Sequence, residues 1–158
     1  MRRVAENSDT TVSNLYNYFE SKDSLFAAIV APVTNLLEHS FLDMETNDLF
    51  KDPYRWSFAW HLEMISQVVD YIDQHRGLLC LLCFKSQGSA LEGYVDRLID
   101  RYTAISRQYM VKAKKFFPVI RVSFSDFFVH NISSFMFHTV QEFLMHDVRW
   151  TPEFGHLA

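Results

Sequence analysis

Apolar positions recur with a helical period along most of the chain. Phe58, Leu62, Ile65, Val69 and Ile72 fall three or four residues apart, so one face of a helix carries them all. Trp56, Trp60 and Met64 form a second stripe on the same stretch. Tyr94, Leu98, Tyr102, Ile105 and Tyr109 repeat the pattern and mark the side of a later helix expected to be buried. Between residues 124 and 144 the apolar positions run almost all round. Phe124, Phe127, Phe128, Ile132, Phe135, Met136, Phe137, Val140, Phe143 and Leu144 leave no clean polar face. Such a helix is expected to be buried on more than one side.

Punctuation between these stretches sets the expected elements. "MRRVAEN" reads as a short helix and "SDT" as a turn, with Thr11 capping a helix over residues 12–19. "ESKD" is a break, after which Ser21 or Asp23 caps a long helix over about 22–44, with Pro32 predicting a kink or a restart inside it. "ETNDLFKD" reads as a loop. Asp52 followed by Pro53 predicts a helix start, with Gly77 expected to end that helix after about His75. "LLCLLCF" is a short buried helix closed by "SQGS". A helix over 91–117 ends at Pro118, and Ser123, with Asp126 three residues on, is expected to cap a last helix reaching about His146. The fold expected is all-α, with one boundary near Ser21.

Composition narrows the class. In 158 residues, four Gly and four Pro are too few for the many turns of an all-β fold. A net charge of −4 does not advertise nucleic-acid binding by itself. No uninterrupted apolar run nears the ~18 residues that suggest a membrane span, no signal-peptide pattern opens the chain, and a cytoplasmic protein is expected. Two Cys make no disulfide framework.

The stretch "TVSNLYNYF" carries the most specific chemistry. Leu15 and Phe19 lie four apart and share a face, so Tyr16, Asn17 and Tyr18 point elsewhere. Two short helices joined by a tight turn make a helix-turn-helix, whose second helix lies in the major groove of DNA. Thr11, Ser13, Asn14 and Asn17 offer hydrogen bonds to a duplex. Tyr16 and Tyr18 offer hydroxyls to phosphate oxygens, and Lys22 brings a positive charge to the start of the next helix. The plainer alternative is an amphipathic helix whose tyrosines simply face water.

"VAENSDTTVSNLYNYFESKDSLF" resembles the head motif of the TetR family of bacterial transcriptional regulators. Val4-Ala5, Leu15-Tyr16-x-Tyr18-Phe19 and Ser21-Lys22-x-x-Leu25-Phe26 carry the likeness, which covers only about the first 26 residues. The resemblance implies a homodimer on a palindromic operator, usually repressing, with a partial helix-turn-helix head at residues 1–21 and a helical ligand-binding and dimerisation domain at 22–158 that holds a small-molecule pocket and the dimer interface. It implies that ligand binding swings the helix of residues 22–44 and separates the two heads. It places Thr11 at the helix-capping position, Val12 and Ser13 at base-contacting positions, and Tyr16, Tyr18 and Lys22 at phosphate-contacting positions. The chain departs from the motif at Asp9, where the family has a turn Gly, at Thr10 for Val, and at Ser13 for Gly. Asp tolerates the left-handed conformation better than most residues, so the turn is expected to survive. The family's head also has a helix ahead of "MRRVAEN", and its dimer interface pairs two helices; the chain is expected to lack one of each. Within residues 1–26, Arg2, Arg3 and Lys22 stand against Glu6, Asp9, Glu20 and Asp23, a net of −1 and little for tight phosphate binding.

Other features have plainer readings. Cys80-x-x-Cys83 lies among leucines and lacks the further ligands zinc needs, so a buried structural role is expected. Seven His show no metal-binding spacing, and no metal or cofactor is expected. Lys112, Lys114 and Lys115 suit a helix C-terminus, where the dipole favours cations. Aromatics at 16% exceed what a small helical core needs, which suits a wide apolar pocket. Its expected wall is Trp56, Trp60, Met64, Tyr102, Phe128 and Phe135, with His61 and His138 as polar points. No nucleophile–base pair, carboxylate dyad or cofactor loop is visible, so an enzyme is not expected. The expected function is a DNA-binding regulator released from its operator by a small apolar or aromatic molecule. The alternative is a helical ligand-binding or dimerisation module without DNA binding.

Overall fold

The structure, a computed structural model, describes residues 1–46, 50, 52–119, 121 and 123–149. Among them it is all-α, with no strand. Seven helices follow in order: α1 (Arg2–Asn7), α2 (Val12–Tyr18), α3 (Lys22–Thr46), α4 (Phe58–Gln74), α5 (Arg76–Phe84), α6 (Tyr94–Phe116) and α7 (Asp126–Met145).

Local chemistry explains most boundaries. Ser21 starts α3 through a reciprocal pair: its Oγ accepts from the Ser24 amide, and Ser24 Oγ accepts from the Ser21 amide, both at 3.0 Å. Asp23 does not cap; it sits in the first turn, where a carboxylate suits the helix dipole. Pro32 causes no restart. A proline removes one backbone hydrogen bond, and α3 runs through it for 25 residues. Gly93, in the left-handed region at φ 67, breaks the chain before α6, so that helix begins at Tyr94 and not at Leu91.

Three expected boundaries are corrected. Asp52 Oδ1 does accept from the Tyr54 amide at 3.0 Å, but it caps only a 3-10 turn, Pro53–Trp56. Ser57 then turns extended and caps α4 itself, accepting from the Trp60 amide at 3.1 Å. Gly77 ends nothing: α4 stops at Gln74, and Gly77 lies in the first turn of α5, where its amide has no intrahelical partner to lose. α7 is capped by Ser125, whose Oγ accepts from the Phe128 amide at 3.2 Å, and Ser123 lies outside the helix.

The short helix α5 is the pivot of the bundle, meeting α3, α4, α6 and α7. Its Leu79 and Leu82 are buried with Val30, Val33 and Phe41 of α3, Ile72 of α4, Tyr94 and Leu98 of α6 and Leu144 of α7. α3 and α6 are also joined by charge. Arg101 forks onto Glu45 at 2.7 and 3.1 Å and reaches Glu38 at 2.5 Å. Its guanidinium stands 5.1 Å from the centre of the Phe41 ring, and the Tyr94 hydroxyl donates to Glu38 at 2.9 Å. By length and composition α3 could cross a membrane. Here it gives Val30, Val33 and Phe41 to the core and binds Arg101 through its carboxylates.

Two helices are more open than their sequences suggest. On α4 the apolar stripe closes only at its C-terminal end: Ile72 is buried and Val69 half-buried, while Phe58, Leu62 and Ile65 are exposed. At close backbone approach α4 meets only α5 and the preceding 3-10 turn, which leaves Leu62 and Ile65 facing solvent. On α7, Val129, Ser133 and Leu144 face inward, but Phe127 and Phe135 are 78% and 69% exposed. The helix is therefore buried on one side, not several.

Candidate nucleic-acid interface

The first two helices pack on each other across a tight turn. At close backbone approach, α1 and α2 meet each other and no other described helix. Ala5 of α1 is buried. Asp9 takes the left-handed conformation at φ 48, which an Asp accepts at modest cost. The Thr10 amide then donates back to the Ala5 carbonyl at 3.0 Å, closing the turn. Thr11 caps α2, its Oγ1 accepting from the Asn14 amide at 3.1 Å, while the Asn14 side-chain amide donates to Thr10 Oγ1 at 2.9 Å. α2 ends at Tyr18, and Phe19 turns extended.

Leu15 and Phe19 are half-buried, which leaves the other faces of α2 outward. Tyr16 is 51% exposed and Tyr18 77%. Thr11, Ser13, Asn14, Asn17 and Lys22 are exposed, and Val12 is half-buried. All eight residues expected at a duplex thus lie within one cap, one helix and the first position of α3. Asn14 is the one whose side-chain amide is already engaged, in the turn.

The residues expected to line an apolar pocket do not gather round one space. Tyr102 is half-buried in the core, edge-on to Phe41 and Phe137 with ring centres 6.4 and 6.0 Å away, and burial pushes its hydroxyl above the usual tyrosine range. Trp60 is half-buried with its ring edge-on to His61, whose Nδ1 lies 2.9 Å from the Ser57 carbonyl. Met64 is exposed on α4. Phe128 stacks on Phe124 at 4.9 Å and Phe135 faces outward on α7, as does His138, whose Nδ1 lies 2.8 Å from the Ser134 carbonyl. The side chain of Trp56 lies outside the described residues.

An open cavity of about 310 Å³ does lie between α6 and α7, but none of those residues lines it. Its walls are charged and internally paired. Arg107 Nε stands 3.1 Å from Asp126, and His130 Nδ1 stands 3.8 Å from Asp100. Among the described residues no three His, Cys, Asp or Glu side chains gather to share a metal ion. Cys80 and Cys83 are half-buried beside the core, and burial pushes the Cys83 thiol up to about 11, which suits a structural thiol. Lys114 and Lys115 occupy the last turn of α6.

Asp23 is the residue that the sequence reading undervalued. Its Oδ1 accepts from the Ala90 amide at 3.0 Å, joining the start of α3 to the loop before α6. A contact 67 residues apart in sequence leaves no local signal.

Compared with family models, with curated proteins and with solved structures, the chain matches none.

Proposed function

We propose that the chain is a ligand-responsive DNA-binding regulator of the TetR kind, in which α1 and α2 form the helix-turn-helix and α2 enters the major groove. Thr11, Val12, Ser13, Asn14 and Asn17 meet base edges and nearby phosphates. Tyr16, Tyr18 and Lys22 hold the phosphate backbone and fix register. The observation that carries the reading is the orientation of α2: Leu15 and Phe19 turn in, and two tyrosines stand outward beside exposed hydroxyls and amides. A helix whose only task was packing has no use for that arrangement of polar groups. The protein acts as a homodimer through its C-terminal helices, where the exposed phenylalanines of α7 offer an apolar face. It is a repressor released by a small apolar or aromatic molecule held in the helical domain, residues 22–158.

A second reading is a ligand-binding or dimerisation module that does not bind DNA. The low charge of residues 1–26 favours it, since three cations face four carboxylates. The two readings separate in a gel shift of the full chain with DNA from its own promoter region at two salt concentrations. The regulator retards that DNA in preference to an unrelated duplex, and less so at the higher salt. Absence of any salt-dependent, sequence-preferring shift leaves the second reading.

A further inference from the structure

We infer that Asp23 is a positioning residue that sets the orientation of the α1–α2 unit on the helical bundle. The inference rests on the reading of that unit as the DNA-contacting surface. Among the described residues, the Asp23–Ala90 bond is the one hydrogen bond that joins residues 1–28 to anything beyond α3. α3 is held in the core by Val30, Val33 and Phe41, and its second half also by the Arg101 fork onto Glu38 and Glu45. Near its start Phe26 packs against the core, Leu25 is buried but not part of that cluster, and the Asp23 carboxylate reaches the Ala90 amide. Pro32, which removes a helix hydrogen bond, lies between the two halves. Apolar contacts hold the first turn down, but they are non-directional; a hydrogen bond fixes its rotation and tilt.

The receiving loop, residues 85–93, is a stiff anchor. Ser89 Oγ donates to the Ser86 carbonyl at 2.6 Å, and Gly88 donates to the Glu92 carboxylate at 2.9 Å. Arg97 clamps the far side through the Glu92 carbonyl at 2.7 Å, and its other arm lies 3.4 Å from the Ala90 carbonyl. Asp23 is half-buried, while its neighbour Lys22 is exposed. One residue ties the helix start inward as the one before it presents its charge outward.

Charge and latch predict opposite effects, which makes the test sharp. Removing a carboxylate beside a phosphate surface should tighten DNA binding if only charge matters. Fluorescence anisotropy of the full chain with a labelled promoter duplex is measured for wild type, Asp23→Asn and Asp23→Ala. The side-chain carbonyl of Asn can still accept from Ala90, so D23N should stay within about twofold of wild type. D23A should weaken binding by about tenfold, with helix content by circular dichroism unchanged; roughly tenfold is the 1.4 kcal/mol scale of one such bond. D23A binding as tightly as wild type, or more tightly, overturns the inference while leaving the regulator reading intact.

A second readout needs no DNA. Spin labels at Glu6→Cys on α1 and Gln108→Cys on α6 report the distance between head and bundle. D23A should broaden that distance distribution, and D23N should keep it narrow. An unchanged distribution in D23A overturns the inference whatever the DNA result. A broadened one, in a protein that binds no promoter DNA, upholds the positioning role and removes the regulator reading alone.

Discussion

α2 and α7 both turn aromatic rings toward solvent, and the rings differ. On α2 they are Tyr16 and Tyr18, set among Thr11, Ser13 and Asn17. On α7 they are Phe127, Phe128 and Phe135, with Ile132 and Met136 also exposed. A phenol keeps its hydroxyl hydrogen-bonded in water or on a phosphate, so α2 is stable as it stands and ready for a polar partner. A phenyl ring has nothing to offer water, so α7 gains free energy only when an apolar surface covers it. The same period-reading that finds both helices cannot separate these cases; the chemistry of the outward ring does.

Breaking the apolar surface should give the largest effect. Phe135→Glu puts a charge on a ring position that is 69% exposed. It should abolish self-association in sedimentation experiments while shifting chemical denaturation by no more than ~0.5 kcal/mol. Unaltered assembly would mean that α7 is not the paired face. Next comes the local support of the polar surface. Thr11→Ala removes the cap of α2 and should cost ~1 kcal/mol of stability in that unit. DNA affinity should fall with it and self-association should not, a separation that gel shift and sedimentation check together. A smaller effect is expected from Tyr18→Phe, which loses one hydroxyl worth ~0.5–1.5 kcal/mol and should weaken every duplex alike. Ser13→Ala should instead change the preference among duplexes, read as a change in rank order in a competition assay.

The smallest effect belongs to the closed side of the bundle, which serves as the reference for both open faces. The hydrogen bond from Arg101 holds the Glu45 carboxyl below its ordinary value of 4.5. A carboxyl depressed on folding stabilises the protein above the unfolded value and loses that contribution as the pH falls through the lower folded one. Wild type should therefore exceed Arg101→Met in stability at neutral pH. The gap in their denaturation midpoints should narrow as the pH drops below about 4.5. A gap that is constant with pH would show that Arg101 acts on Phe41 by packing alone.

Much of the architecture was legible because caps and breakers are local. Thr11, Ser21 and the Leu15–Phe19 pair announced α2 and the start of α3 from side-chain chemistry within a few residues. Ser123 and Ser125 offered the same hydroxyl, and only the backbone of the chosen one decides the cap. Ser57 was overlooked because Asp52-Pro53 gave an earlier, stronger signal that spent itself on one 3-10 turn. Burial was the least legible quantity. Periodicity shows which face of a helix is apolar, not whether a neighbour covers it, and so α7, with Phe127 and Phe135, was expected to be buried on more than one side. The pocket residues failed to gather for the same reason, since each was placed by its own helix and not by a shared space. The Arg101 network left a trace that could have been used. Glu38 and Glu45 are seven apart on α3, as Tyr94 and Arg101 are on α6, two matched rows two turns long.

The central claim is that the outward tyrosines of α2 meet a DNA backbone, and nitration of exposed tyrosines tests it most directly. In the free protein Tyr16 and Tyr18 should both react, with Tyr54, 52% exposed and far along the chain, as an internal reference. Promoter duplex at low salt should protect the first two and leave Tyr54 unchanged, with protection fading as salt is raised. Equal nitration of Tyr16 and Tyr18 with and without the duplex would contradict the account.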